Sequence, residues 1–172
     1  HWKHASVSGL VAKQLTRVSR VARGIDADSM ASAGLLHNLG RLAMMDGFRD
    51  EYVRVVSPVG FAGPQAVQAE REAFGFDHGQ VGGLLATRWN MGDEIIIAAR
   101  DHHNNLDNIH PVALLVSCAS EISHRLLEIG PAALDNVFRE QNVARLQIRE
   151  ESLESVIDTI RISIFDTAVA RA

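Results

Sequence analysis

The chain is poor in the features that would tie it to a membrane, a nucleic acid or an oxidising compartment. One cysteine among 172 residues excludes an internal disulfide and fits a reducing compartment, so a cytoplasmic location is expected. That residue, Cys118, has Val116, Ala119 and Ile122 nearby and reads as a small buried hydrophobe, not a reactive thiol. No apolar run approaches the roughly 20 residues that a membrane-spanning helix needs, and no signal peptide is visible. Seventeen Lys and Arg face 21 Asp and Glu, for a net charge of −4. With no basic run, nucleic acid and anionic membranes are not expected partners. Internal repeats and low-complexity tracts are missing too. The opening His1-Trp2-Lys3-His4 lacks a starting methionine and already lies in a helical pattern, which predicts a piece of a longer protein.

What the chain does have is a 47% hydrophobic composition, enough for one sizeable core, and helical periodicity along nearly its whole length. Val7, Leu10, Val11, Leu15 and Val18 recur at three- and four-residue steps and predict a first helix ending near Gly24. Asp26 or Asp28 can cap the next, which is expected to run through Met30, Leu35, Leu36 and Leu39 toward Met45 with His37-Asn38 inside it. Asp46-Gly47 should break the pattern before a short helix over 51–56. Further helices are expected over 64–73, 78–90, 93–103 and 111–127. A last one over 151–170 carries Leu153, Val156, Ile157, Ile160 and Ile164 on one face. The short β-branched run Val53 to Val56 is too isolated to build a sheet. The fold class is therefore all-α, a compact bundle of short helices.

The histidines stand out against this background. His4 precedes Val7 by three and Val11 by seven, so it shares the apolar face of the first helix. His78 bears the same relation to Val81 and Leu85, His102 follows Ile95 by seven, and His103 follows Ile96 by seven. His37 lies between Leu36 and Leu39. An imidazole buried without a partner loses its hydration. Taken singly, each is commonly a hydrogen-bonded core residue; five on buried faces are better explained by one shared polar centre. Asp77 and Asp101 directly precede histidines and can orient their rings, or simply cap helices and face solvent. His110 and His124 read as surface or helix-packing residues. Gly40, Gly82 and Gly83 lie in helical pattern, where each glycine costs about 1 kcal/mol relative to alanine; close approach of another helix is the expected reason.

Several separated motifs, in order, resemble the HDOD domain, a bacterial regulatory relative of the HD-type metal phosphohydrolases. They are Trp2-Lys3-His4-Ala5, Gly34-Leu35-Leu36-His37-Asn38-Leu39-Gly40, Glu70 with Phe74-Gly75-Phe76-Asp77-His78, Val81-Gly82-Gly83-Leu84-Leu85, Trp89, and His102-His103. The resemblance covers roughly residues 2 to 125 and implies an HD-like helical core over 1–125, without the family's helical segment ahead of the Trp-His motif. Residues 126–172 are expected to form a C-terminal helical extension packed on the same domain. By similarity, His4, His37, Asn38, His78, His102 and His103 match the metal-binding positions of the HD relatives, as a vestigial or weak site. Asn38 replaces an Asp, Ser120 in Cys118-Ala119-Ser120 stands where a last Asp ligand is usual, and Gly92 replaces a proline.

With both acidic ligands gone, the resemblance implies signal transduction through protein contacts without catalysis. The expected partners are a signalling protein, upstream domains of the same chain or a second copy. No cofactor is expected, a divalent transition metal being the alternative. Two other readings stay open: a metal-dependent phosphohydrolase of nucleotides or cyclic dinucleotides, with Arg41, Arg88 and Arg100 as phosphate-binding candidates, and a sensor that binds a nucleotide or metal without turnover.

Overall fold

The computed structural model describes residues 2–61, 63–104, 108–130 and 143–166. All regular elements among them are helical. Helix α1 (Trp2–Val18) leads through a 3-10 turn (Arg20–Ala22) to α2 (Ala27–Leu36) and α3 (Leu39–Val56). A second 3-10 turn (Ser57–Val59) precedes α4 (Gly63–Phe74), α5 (His78–Arg88), α6 (Asp93–Asp101) and α7 (Pro111–Ile129). The short α8 (Val143–Leu146) and α9 (Glu150–Arg161) follow, and α9 runs into a π-helical turn (Ile162–Asp166). Among the described residues, no helix is long and apolar enough to cross a membrane.

Helix starts follow local chemistry. Asp26 caps α2 by accepting from the Ser29 amide at 2.7 Å. Asp77 and Gln80 form a reciprocal capping box on α5. His110 caps α7 and Pro111 supplies its first residue.

Two breaks differ from the sequence expectation. The predicted single helix over His37-Asn38 is two helices, with His37 ending α2 and Asn38 beginning α3. The apolar spacing hid this because Leu36 and Leu39 keep helical phase across the turn. Conversely, Asp46-Gly47 does not interrupt α3; the kink falls at Arg49, held at φ +45° and ψ −117°. The first helix stops at Val18, short of Gly24, and residues 167–170 of the predicted last helix lie outside the described residues.

Two apolar clusters form. The larger gathers Val11 and Leu15 of α1, Met30 and Ala33 of α2, Ala98 of α6, Leu115, Ile122 and Leu126 of α7, and Leu146, Leu153, Ile157 and Ile160 of α8 and α9. Each fully buried Leu or Ile contributes about 1.5–3 kcal/mol, so the described C-terminal helices are held on α1 by several such residues. The smaller cluster joins Met44, Tyr52 and Val56 of α3 to Ala66 of α4, flanked by Phe61, Phe74, Phe76 and Val81. Glycines let backbones meet between helices. A Cβ on Gly34 would stand 2.7 Å from the Ser8 carbonyl oxygen of α1, and one on Gly83 would stand 2.7 Å from Arg100 Cβ of α6.

Candidate functional site: a histidine cluster closed by an arginine

The histidines singled out in the sequence come together at helix ends between the two apolar clusters. His4 sits in the first turn of α1, His37 closes α2, His78 opens α5, and His102 closes α6 with His103 just beyond. Ring centroids are 5.4 Å apart for His4–His37, 4.9 Å for His37–His102, 5.4 Å for His78–His102 and 4.0 Å for His102–His103. Four of the five are buried; His103 is the exception and stands exposed at the mouth. Its position past the end of α6 frees it from the Ile96 face that the heptad spacing assigned to it.

Backbone and carboxylate acceptors fix the buried rings. His37 Nδ1 donates to the Gly34 carbonyl at 2.7 Å, which leaves Nε2 to accept from Asn38 Nδ2 at 2.8 Å. His102 Nδ1 donates to the Ala98 and Ala99 carbonyls at 2.9 and 3.2 Å, and its buried Nε2 has no hydrogen-bond partner. His78 Nδ1 donates to Glu70 Oε2 at 2.6 Å, so its Nε2 also presents a lone pair. Ligand atoms of His78, His102 and His103 lie within 4.8 Å of one another, and His103 Nε2 is 3.0 Å from His78 Nε2. His4 Nε2 contacts Ser8 Oγ at 3.4 Å and Ser120 Oγ at 3.3 Å. Ser120, the residue in the place of a carboxylate, is thus at the cluster.

Arg41 completes the group. It is only 3% exposed, which is rare for an arginine without partners. Its Nη1 donates to the Phe61 carbonyl, and its Nη2 lies 3.1 Å from His78 Nε2. Behind His78, the buried Glu70 carboxylate accepts from the His78 amide at 2.8 Å and from the Tyr52 hydroxyl. Hydrogen bonds therefore run His78–Glu70–Tyr52 with Arg41 set against the His78 ring, so that one imidazole separates the positive and negative charges.

Burial holds the rings neutral. It lowers His4 to about 2, helped by His37, His124 and Arg41, and lowers His37 to about 3, helped by Arg41. His102 falls well below the usual value for the same reason, and His78 is lowered by burial despite its bond to Glu70. Burial alone would raise the Glu70 carboxyl, but its bonds to His78 and Tyr52 outweigh that and hold it below the usual range. The state consistent with this geometry is a Glu70 carboxylate, a neutral His78 and Arg41 as the cation.

Of the two roles left open for Asp77 and Asp101, orienting a ring or capping and facing solvent, neither residue takes the first. Asp77 caps α5 and accepts from Arg71 Nε at 2.6 Å, and Asp101 is engaged by Arg100 and Asn104. Glu70 takes the orienting role for His78, and backbone carbonyls take it for His102. The site roles of Glu70 and Tyr52 were missed in the sequence. Their signal was there: Val67, Glu70 and Phe74 share one helical face, as do Phe48, Tyr52 and Val56, and a carboxylate on such a face needs a buried partner. His124, expected at the surface or in packing, stacks 4.0 Å from His4. Arg88 and Arg100 are exposed, Arg100 being paired with Asp101.

The imidazole set suits a transition-metal ion in number and spacing, and the unpartnered His102 Nε2 points the same way. The surrounding charge does not suit it. The His78–His102–His103 set includes no carboxylate among the described residues, and a guanidinium already lies against the His78 ring, its Nη2 3.1 Å from Nε2 and 3.4 Å from Nδ1. A cavity of about 320 Å³ opens beside the cluster, lined by Asn38, Arg41, His103, Ser117, Ser120 and His124 among others.

The HDOD domain family matches residues 1–105. A protein of Treponema pallidum (strain Nichols), named only as uncharacterized, is 26% identical over 172 residues, covering 90% of this chain and 31% of its own length. A crystal structure from Shewanella amazonensis SB2B, of a protein provisionally named a phosphohydrolase, superposes with a TM-score of 0.73 at 16% identity, covering 92% of this chain and 57% of the other. The MmoQ response regulator of Methylococcus capsulatus str. Bath gives a TM-score of 0.66 at 21% identity, covering 91% and 59%. The chain therefore spans about a third of the curated relative and under two thirds of either structural neighbour.

Proposed function

The chain belongs to the HDOD family, and from that premise we propose that it is a bacterial regulatory domain that signals through protein contacts and does not hydrolyse phosphoesters. The observation that carries this reading is the buried Arg41 guanidinium set 3.1 Å from His78 Nε2 inside the histidine cluster. Metal-dependent hydrolysis needs an ion whose bound water attacks phosphorus, and carboxylates that hold the ion against its charge. Here an amide stands at position 38, a hydroxyl at 120, and a fixed cation at the ring that would ligate. His4, His37, Asn38, His78, His102 and His103 are on this reading a vestigial site kept for its structure. The likeness to a response regulator fits a signalling context, with upstream domains, another signalling protein or a second copy as the partner. Residues 126–172 belong, on this reading, to the same cytoplasmic domain as residues 1–125.

A second reading has its own support. The cavity beside the cluster and the unpartnered His102 Nε2 suit a sensor that binds a small polar ligand without turnover. One experiment separates the readings. The chain is incubated with manganese, nickel or zinc and offered bis(p-nitrophenyl) phosphate, nucleotides and cyclic dinucleotides, while binding is followed by calorimetry. The expected result is no turnover. Binding without turnover favours the sensor, and metal-dependent turnover that disappears in His102→Ala overturns the regulatory reading.

A further inference from the structure

We propose that the Arg41 guanidinium is the resident cation of the histidine cluster, holding the place at His78 that a transition-metal ion would take, so that arginine and metal exclude one another. This deepens the regulatory reading above and rests on it.

The argument begins with the lone pairs. His78 spends its Nδ1 proton on Glu70, so Nε2 can only accept; His103 Nε2 stands 3.0 Å from it, and Arg41 Nη2 lies against the ring 3.1 Å from Nε2 and 3.4 Å from Nδ1. His103 Nε2, as the protonated tautomer, donates to His78 Nε2, and the His102 Nε2 lone pair is buried without a partner. Buried ring nitrogens that can only accept need either an ion or N–H donors. Arginine supplies donors and does not lose its proton inside a protein.

Its anchoring is rigid. Nη1 is fixed on the Phe61 carbonyl, and the counter-charge, Glu70, lies behind the ring that Nη2 contacts. A metal ligated by His78 Nε2 would sit beside a guanidinium only 3.1 Å from that nitrogen, cation against cation at short range.

The test is a cobalt(II) titration followed by its visible absorption, with thermal unfolding measured with and without cobalt or zinc. The proteins are the wild type, Arg41→Lys, which keeps a cation, Arg41→Met, and Arg41→Met with His102→Ala, which removes a ligand. Because Arg41→Met leaves the Glu70 charge unbalanced and can prevent folding, Arg41→Met with Glu70→Gln carries the same comparison without that charge. Removing the cation is expected to tighten cobalt binding on the order of ten-fold or more and to make unfolding temperature rise with metal. The wild type and Arg41→Lys should show neither effect, and the His102→Ala background should abolish it. Equal cobalt affinity in the wild type and the Met variants, or none in any of them, overturns the proposal. Failure here leaves the regulatory reading standing, because only turnover by the wild type sinks that one.

Discussion

Gly40 presses against the backbone of His78: a methyl group at its Cα would overlap the His78 carbonyl oxygen and stand 2.9 Å from the Gly82 Cα. The residue that follows His37-Asn38-Leu39 thus sets how closely α3 meets α5, and so the distance from Arg41 to His78.

Gly40→Ala is the first consequence. The atoms in the way are backbone, which cannot rotate aside, so the helices must separate. Overpacking costs about 1–3 kcal/mol or more, and the upper end is expected here. Urea unfolding should show a loss of about 3 kcal/mol or an unfolded chain. A loss below about 1 kcal/mol would mean that α3 and α5 do not meet this closely in solution.

Tyr52 donates to a carboxylate that is fully buried. Removing a hydrogen bond to a charged group costs about 1.5–3 kcal/mol, so Tyr52→Phe should lower unfolding free energy by that amount while the denaturant slope stays constant. Wild-type stability in the variant would show that Glu70 has another donor or is protonated.

Asn38→Asp bears on the residue that departs from the hydrolase pattern. The amide now donates to His37 Nε2, while His37 Nδ1 is committed to the Gly34 carbonyl. A carboxylate has no proton to offer there and would face a lone pair. The expected cost is about 1–3 kcal/mol at pH 8. It should shrink toward pH 6, because the introduced carboxylate favours a protonated His37 that can donate in return. Equal stability of variant and wild type at pH 8 would contradict the assigned donor direction.

The pH profile of the unmodified chain follows from the depressed histidines. In the unfolded chain His4, His37, His78 and His102 take up protons near 6.5, whereas in the folded chain burial keeps them neutral to lower pH, about 2 for His4 and about 3 for His37. The unfolded state then binds more protons, so stability is full above 6.5 and falls as pH drops below it. Each such histidine contributes a slope of roughly 1.4 kcal/mol per pH unit well below 6.5. Glu70, also depressed, adds a further loss below its ordinary value of 4.5. Urea midpoints that stay flat from pH 7.5 to about 5.5 would contradict the neutral, buried cluster.

How far the sequence reveals this arrangement depends on the kind of constraint. The helices and their apolar faces were legible because burial imposes a period, and Leu15, Met30 and Ile122 obey it. The gathering of His4, His37, His78 and His102 was legible because buried imidazoles need partners. The break at His37-Asn38 was not, since leucines on both sides stay in phase while the backbone turns. Nor was the identity of the partners: backbone carbonyls that receive the His37 and His102 protons carry no signature in residue type. Arg41 read as a surface residue or a phosphate candidate because the Phe61 carbonyl that holds it in the buried cluster lies twenty residues away in sequence.

The placement of the polar cluster between two separate apolar clusters has a mechanical meaning. Oil packed against oil tolerates sliding, because its attraction depends on area and not on angle. Where the smaller cluster meets the histidines, the contacts are instead directional bonds, Tyr52–Glu70–His78 and His78–His103, with Arg41 held on the Phe61 carbonyl, each satisfied over a narrow range of orientation. The two halves are keyed rather than glued. A proton or ligand entering the key, or a pull on any helix whose end forms it, would be felt as a change in how α3, α4 and α5 sit against the rest.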